Sequence, residues 1–319
     1  MKREVLFLIC VISIIICLIS CNKQKELKGE WIKYEGNPVL GGEELGTIFD
    51  VSVLADEGGY KMYCSWRPEK SIALSVSIDG KTWSQPEIVL GPGDSFWEED
   101  LNRPVVVKKD DIYHMWYTGQ AKGINSWIGY AISHDGINFS RMSKDPVLYF
   151  DEPWEKVAVM CPHVIWDEKE KLFKMWYSGG EQYEPDAIGY ATSTDGLNWI
   201  KYAHNPVFIA NPQNEWEQYK VTACQVVKRK DDYLMFYIGF RDIDFAQIGM
   251  AKSKNGIDGW ERYTQNPIIS PTPDEWDAHA CYKPYAIEEN DCWKLWYNGR
   301  INGSERIGLV IHNGKNLEF

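Results

Sequence analysis

Lys174-Met175-Trp176-Tyr177-Ser178-Gly179, a polar loop, then Ile188-Gly189-Tyr190-Ala191-Thr192-Ser193-Thr194-Asp195-Gly196-Leu197-Asn198-Trp199 and finally Asn205-Pro206-Val207-Phe208: this stretch recurs along the chain. Trp116, Trp176, Phe236 and Trp296 stand sixty residues apart, and Tyr63 is a first copy fifty-three earlier. A fixed period of this length marks a repeat architecture in which each unit buries its face against its neighbours. The third copy reads as four short strands: 159–166, 172–179, 188–193 and an edge strand from 198 to 202. Turn residues at 167–170, a polar loop at 180–187 and Asp195-Gly196 separate them, and no helical periodicity intervenes. Such a unit is an antiparallel sheet with Asp-Gly turns expected to be type I′. Five of these sheets arranged radially make an all-β, five-bladed β-propeller. The last copy ends at Phe319 without an outer strand, while 31–40 (WIKYEGNPVL) nearly duplicates 199–208 (WIKYAHNPVF). The first strand is therefore expected to complete the fifth blade, closing one domain over residues 31–319.

The net charge of −12 and pI of about 5.1 exclude a surface built for the phosphate backbone, so no nucleic-acid partner is expected. Apolar residues make up 44% of the chain, enough for a packed core, and the fifteen Trp and eighteen Tyr fall largely at repeat positions, where packing is their first use. Lys2 and Arg3 precede an apolar run from Val5 to Ile19, which ends in Leu18-Ile19-Ser20-Cys21. That arrangement resembles a bacterial lipoprotein signal. Residues 1–20 would be removed, Cys21 would carry the lipid, and 21–30 would be a polar tether. The run is too short for the roughly twenty apolar residues of a membrane span. The expected location is the bacterial cell envelope, lipid-anchored at the outer membrane or its periplasmic face, as a monomer. The remaining cysteines show no C-x-x-C spacing, which argues against zinc.

Two recurring motifs have structural explanations. Ser77-Ile78-Asp79-Gly80-Lys81-Thr82-Trp83 resembles the sialidase Asp-box but lacks a residue between Asp and Gly, and its turn returns at Asp135-Gly136, Asp195-Gly196, Asn255-Gly256 and Asn313-Gly314. Trp97-Glu98, Trp154-Glu155, Trp216-Glu217 and Trp276-Asp277 precede four first strands. Their repetition points to Trp wedged between blades, not to a unique catalytic carboxylate.

In a propeller the first strands line a central channel, and function departs from the repeat. The first strands open differently: Thr47-Ile48-Phe49-Asp50; Glu99-Asp100-Leu101-Asn102-Arg103; Val159-Met160-Cys161-Pro162-His163; Thr222-Ala223-Cys224-Gln225; His279-Ala280-Cys281-Tyr282-Lys283. Loops between second and third strands add Arg67, Glu181, Glu184, Asp186, Arg241, Asp242, Asp244, Arg300 and Glu305. This mixture of carboxylates, cations and aromatics suits a polyhydroxylated ligand, neutral or with an anionic group. Asn102, Arg103, His163, Gln225, Arg241, His279, Tyr282 and Lys283 are the candidate binding residues.

The five repeats, their Asn-Pro-Val-Leu linkers and their Met-Trp-Tyr-Ser-Gly and Ile-Gly-Tyr-Ala strands resemble the five-bladed propeller glycoside hydrolases of families 43, 32, 62, 117 and 130 over residues 31–319. The resemblance implies cleavage of a glycosidic bond in an oligo- or polysaccharide by paired carboxylates. It places a base at Asp50 and a second acidic residue at Asp100. The position of the usual acid is Met160, so the resemblance leaves that role to Glu181, Glu184 or Asp186. It implies no cofactor beyond a structural divalent cation in the central channel, which His279 would help to position. Glu99-Asp100…Arg103 is also similar to the Glu-Asp-Pro-Arg segment of family 130, where an Asp donates the proton and basic residues hold phosphate; Arg103, Arg241, His279 and Lys283 would be that set. A catalytically inactive glycan-binding lipoprotein and a glycoside phosphorylase are the alternatives.

Overall fold

The computed structural model describes residues 30–56, 58–121, 125–181 and 185–319. The signal segment, Cys21, nearly all of the tether and Glu184 lie outside the described residues.

Strand β1 (Trp31–Lys33) leads into five consecutive meanders. Meander one is β2 (Ile48–Asp56), β3 (Gly59–Trp66), β4 (Ser71–Ser77) and β5 (Glu87–Leu90). Meander two is β6 (Asp100–Lys109), β7 (Ile112–Gln120), β8 (Ser126–Ser133) and β9 (Ser140–Arg141). Meander three is β10 (Ala158–Asp167), β11 (Leu172–Gly180) and β12 (Ala187–Ser193), with β13 (Ile200–Lys201) and β14 (Phe208–Ile209) both on β12. Meander four is β15 (Lys220–Lys228), β16 (Tyr233–Phe240), β17 (Ala246–Ser253) and β18 (Glu261–Arg262). Meander five is β19 (Ala280–Glu289), β20 (Cys292–Ile301) and β21 (Ser304–Asn313), and its outer strand is β1, with Trp31 opposite His312. The first strand thus completes the last meander. The inner strands touch in cyclic order, β2 to β6, β10, β15, β19 and back to β2.

Neighbouring meanders are fastened by the residues that set the period. The indole of Trp116 donates to Gly196 O, that of Trp176 to Gly256 O and that of Trp296 to Gly80 O, at 2.8–2.9 Å; Tyr63 does the same to Gly136 O. Phe236 has no donor and packs edge-on against Trp31 instead. The acceptor glycines sit in the Asp-Gly turns, which are not type I′. Gly80, Gly136, Gly196 and Gly256 have φ of 74–81°, but the preceding Asp or Asn does not enter the left-handed region. The Asp79 carboxylate gathers the N–H groups of Lys81 and Thr82 at 2.8 Å, and this holds the turn open in an Asx arrangement. The Asn-Pro repeats act similarly: Asn205 exchanges two hydrogen bonds with the Tyr190 backbone, as do Asn266 with Met250 and Asn37 with Leu309.

The Trp-Glu motifs are structural: each tryptophan lies across glycines of its own meander and packs into the apolar cluster shared with the preceding one. Trp154 lies across Gly179 and Gly189 of its own meander, and Trp216 and Trp276 lie across Gly239 and Gly249 and across Gly299 and Gly308. A Cβ at any of these glycines would strike the ring, at 2.4 Å for Gly249. The adjoining carboxylates are fully buried and caged by a tyrosine and an outer-strand cation. Glu155 is held by Tyr177 (2.8 Å) and Lys201 (2.7 Å), and Glu217 by Tyr237 (3.0 Å) and Arg262 (2.6 Å). Glu98 has Tyr117 and Arg141, and Asp277 has Tyr297 and Lys33, the latter from β1.

Candidate active site

Each inner strand carries a bulge near its start, and one residue there has a positive φ: Asp50 (58°), Arg103 (54°), Cys161 (55°), Ala223 (34°) and Lys283 (53°). For side chains with a Cβ this conformation costs about 1–2 kcal/mol each. The five bulge residues are chemically unlike. Asp50, Arg103 and Lys283, from meanders one, two and five, meet. Asp50 Oδ2 is 4.0 Å from Arg103 Nε, and Oδ1 is 3.9 Å from Lys283 Nζ. Asp50 is 2% exposed. Ser65 Oγ donates to its Oδ2 at 3.1 Å, and Asn298 Oδ1 accepts its backbone N–H at 3.0 Å. Burial, with the Asp50 carboxylate behind it, pushes the Cys64 thiol up to about 12.

A polar chain links this carboxylate to the second one. Arg103 Nη1 donates to Asn102 Oδ1 at 2.7 Å, while Asn102 Nδ2 donates to Gln120 Oε1 at 2.7 Å and to Asp100 Oδ1 at 3.3 Å. Asp50 and Asp100 therefore lie at the same end of the inner strands. On the other side, the Tyr282 hydroxyl donates to Glu305, whose Oε2 is 3.2 Å from Arg67; the Arg67 guanidinium lies 4.3 Å from the Phe49 ring. The opposite wall, from meanders three and four, is an apolar cluster of Met160, Cys161, Ala223, Ile238 and Phe240 with Tyr282. Met160 is fully buried there.

The other expected residues are placed differently. Glu181 is on the exposed rim, 2.9 Å from Lys156, which also binds Asp186; the Lys156 ammonium holds the Glu181 carboxyl below its ordinary value. A proton donor at neutral pH needs the opposite shift. His163 and Gln225 lie deeper and fasten inner strands. His163 Nε2 donates to Val226 O at 2.9 Å, and Gln225 exchanges two bonds with the Ala286 backbone at 2.6 and 2.8 Å. Burial brings the His163 imidazole down to about 4 despite the Val226 bond, and nearby Lys283 adds to the depression. His279 and Arg241 line a separate rim hollow with Phe245 and Arg300; Arg241 stacks 4.0 Å from Phe245 and pairs with Asp242. Among the described residues no group of three or more His, Cys, Asp or Glu side chains could hold a metal ion. Sequence reasoning missed Ser65, Gln120 and Asn298, and it placed Glu305 only among the loop residues.

No family model matches the chain. It is 27% identical over 256 residues to an uncharacterized protein of Mycobacterium tuberculosis, covering 76% of this chain and 82% of that one. It is 24% identical to a 1,2-β-oligomannan phosphorylase of Thermoanaerobacter, over 72% of this chain and 75% of the relative. Among solved structures, a thermostable family-43 glycoside hydrolase aligns with a TM-score of 0.69 at 19% identity, covering 88% of this chain and 95% of that one. A member of the GH130 family of mannoside phosphorylases, reported to contain glycoside hydrolases that target β-1,2 mannosidic linkages in Candida mannan, aligns at 0.72 with 15% identity over 92% and 96%. The chain thus shares the propeller-like all-β fold of the family-43 and family-130 type glycoside hydrolases and phosphorylases.

Proposed function

We propose that residues 31–319 form one five-bladed propeller whose mouth cleaves a glycosidic bond by hydrolysis. The observation that carries this reading is Asp50: a buried carboxylate, set on a left-handed bulge and joined through Arg103 and Asn102 to Asp100. Glycoside cleavage needs two carboxyl groups, one on the leaving oxygen and one on water or the anomeric carbon. Asp50, braced by Ser65, is the base. Asp100 is the proton donor: it is half-buried and held by a single long bond from Asn102, whereas both oxygens of Glu305 are engaged by Tyr282 and Arg67. Asn102, Arg103, Tyr282 and Lys283 bind the sugar around them, and the Arg241 and His279 hollow extends the surface along the rim.

The test is a panel of plant, algal and host glycans incubated with the purified protein in phosphate-free buffer. Release of sugar that Asp50→Asn abolishes supports the reading; turnover unchanged in that variant ends it. A second reading, phosphorolysis, is favoured by the two cations flanking Asp50 and by the similarity to an oligomannan phosphorylase. It predicts activity only with inorganic phosphate and a sugar phosphate as product. Glycan binding without turnover in either buffer would leave the inactive glycan-binding alternative. We also propose that Cys21 carries a lipid anchor to the bacterial envelope. The mass of the mature N-terminal peptide tests that point.

A further inference from the structure

Four of the five junctions between neighbouring meanders share one hydrogen bond. The backbone N–H of the bulge residue donates to a polar side chain on the second strand of the preceding meander. Cys161 donates to Thr118 Oγ1 at 3.1 Å, Ala223 to Ser178 Oγ at 2.8 Å, Arg103 to Ser65 Oγ at 2.8 Å and Asp50 to Asn298 Oδ1 at 3.0 Å. At the fifth junction the corresponding residue is Ile238, which has nothing to offer. Thr118, Ser178, Ile238 and Asn298 keep the sixty-residue period, and Ser65 precedes Thr118 by fifty-three.

At two junctions the clasp does more. Ser65 Oγ, while accepting from Arg103 N, turns its own hydrogen towards Asp50 Oδ2 at 3.1 Å. Asn298, while accepting from Asp50 N through Oδ1, brings Nδ2 to 3.5 Å from Asp50 Oδ1. One carboxylate is therefore addressed on both oxygens by two clasp residues, from meanders one and five. Thr118 and Ser178 use the same backbone bond and face no carboxylate, because their partners are Cys161 and Ala223.

We propose that Ser65 and Asn298 are positioning residues for the reaction: repeat clasps that also fix the direction of the Asp50 carboxylate. The flanking cations, at 4.0 and 3.9 Å, stand too far off to set the carboxylate's direction through hydrogen bonds. Ser65 accepts the Arg103 N–H on one lone pair and directs its single hydrogen at Asp50 Oδ2.

This inference rests on Asp50 being the reacting carboxylate. Ser178→Ala is the structural control, since it removes the same backbone clasp where no carboxylate is near. Ser65→Ala is expected to lower kcat roughly tenfold with KM little changed, and Asn298→Ala to do likewise. Ser178→Ala should lose comparable stability in urea with kcat retained. Ser65→Thr keeps the hydroxyl and should restore kcat. Equal kcat in Ser65→Ala and Ser178→Ala, with Asp50→Asn inactive, overturns the positioning role and leaves the proposed function standing. Turnover surviving Asp50→Asn overturns both. A crystal structure of Ser65→Ala gives an answer independent of turnover: the Asp50 carboxylate should rotate away from its wild-type direction, and an unmoved carboxylate defeats the inference.

Discussion

Meanders two to five each contain a tryptophan lying across their own sheet and a buried carboxylate locked by a tyrosine and an outer-strand cation; among the described residues meander one has neither. Where the others carry Tyr117, Tyr177, Tyr237 and Tyr297 it has Cys64, and where Gly129, Gly189, Gly249 and Gly308 sit it has Ala73. Its inward carboxylate is Asp50, whose charged neighbours come from meanders two and five. The caged carboxylates are saturated by fixed donors and hold a sheet together. Asp50 has its cations near 4 Å instead, which in the proposed reading leaves it able to act on a substrate. That reading puts the chemistry in the one unit freed from the repeat's own bonding pattern.

This contrast can be broken by exchanging the two kinds of loss. Asp50→Asn should reduce turnover up to roughly 10⁴-fold while unfolding free energy moves by no more than about 1 kcal/mol; progress curves and urea melts on the same preparation check both. Glu217→Ala should do the reverse. It strands Arg262 and Tyr237 around a void and should cost about 4 kcal/mol of stability, read as a lower urea midpoint. A cage variant that folds normally would remove the structural half of the comparison.

The deep channel supplies a third, pH-dependent test. His163 is neutral in the folded protein because burial lowers its pKa to about 4 from an ordinary 6.5. The unfolded chain therefore takes up the proton first, and stability is lost as pH falls from about 6.5 towards 4, by ~3 kcal/mol from this group. His163→Gln should flatten that stretch of a stability–pH profile relative to wild type. An unchanged slope would show that His163 is accessible to protons, as a mouth residue would be. The smallest expected effect is Gly249→Ala, which forces a methyl group against Trp216 and should destabilise by about 1–3 kcal/mol. Ala73 in meander one already occupies the corresponding place without conflict.

Much of this was legible because repetition separates packing from function. The sixty-residue spacing fixed the strands of each unit, and the near-identity of 31–40 and 199–208 gave the pairing of β1 with β21. Asp50, Asp100, Arg103 and Lys283 were readable as the positions where repeats disagree. The bulges were not readable, because a left-handed Arg or Lys has no composition signal, and without them His163 and Gln225 looked equivalent to the residues at the mouth. Both lie two positions beyond the bulge and turn along the channel to the next inner strand. The setting of Glu181 was not readable either, since Lys156, the cation that holds its carboxyl low, lies outside any motif the sequence offers. Ser65 and Asn298 were hidden by their own regularity, as members of a series whose other members serve only the backbone.

Lys33, on β1, supplies the cation for the carboxylate at position 277. A chain made from its amino end must therefore hold β1 unpaired until β21 has emerged. Until β1 docks, Asp277 lacks its Lys33 counter-ion and the fifth meander lacks its outer strand. Loss of either β1 or β21 should be felt at the other, and a protease that removes residues 31–33 would loosen the fifth meander.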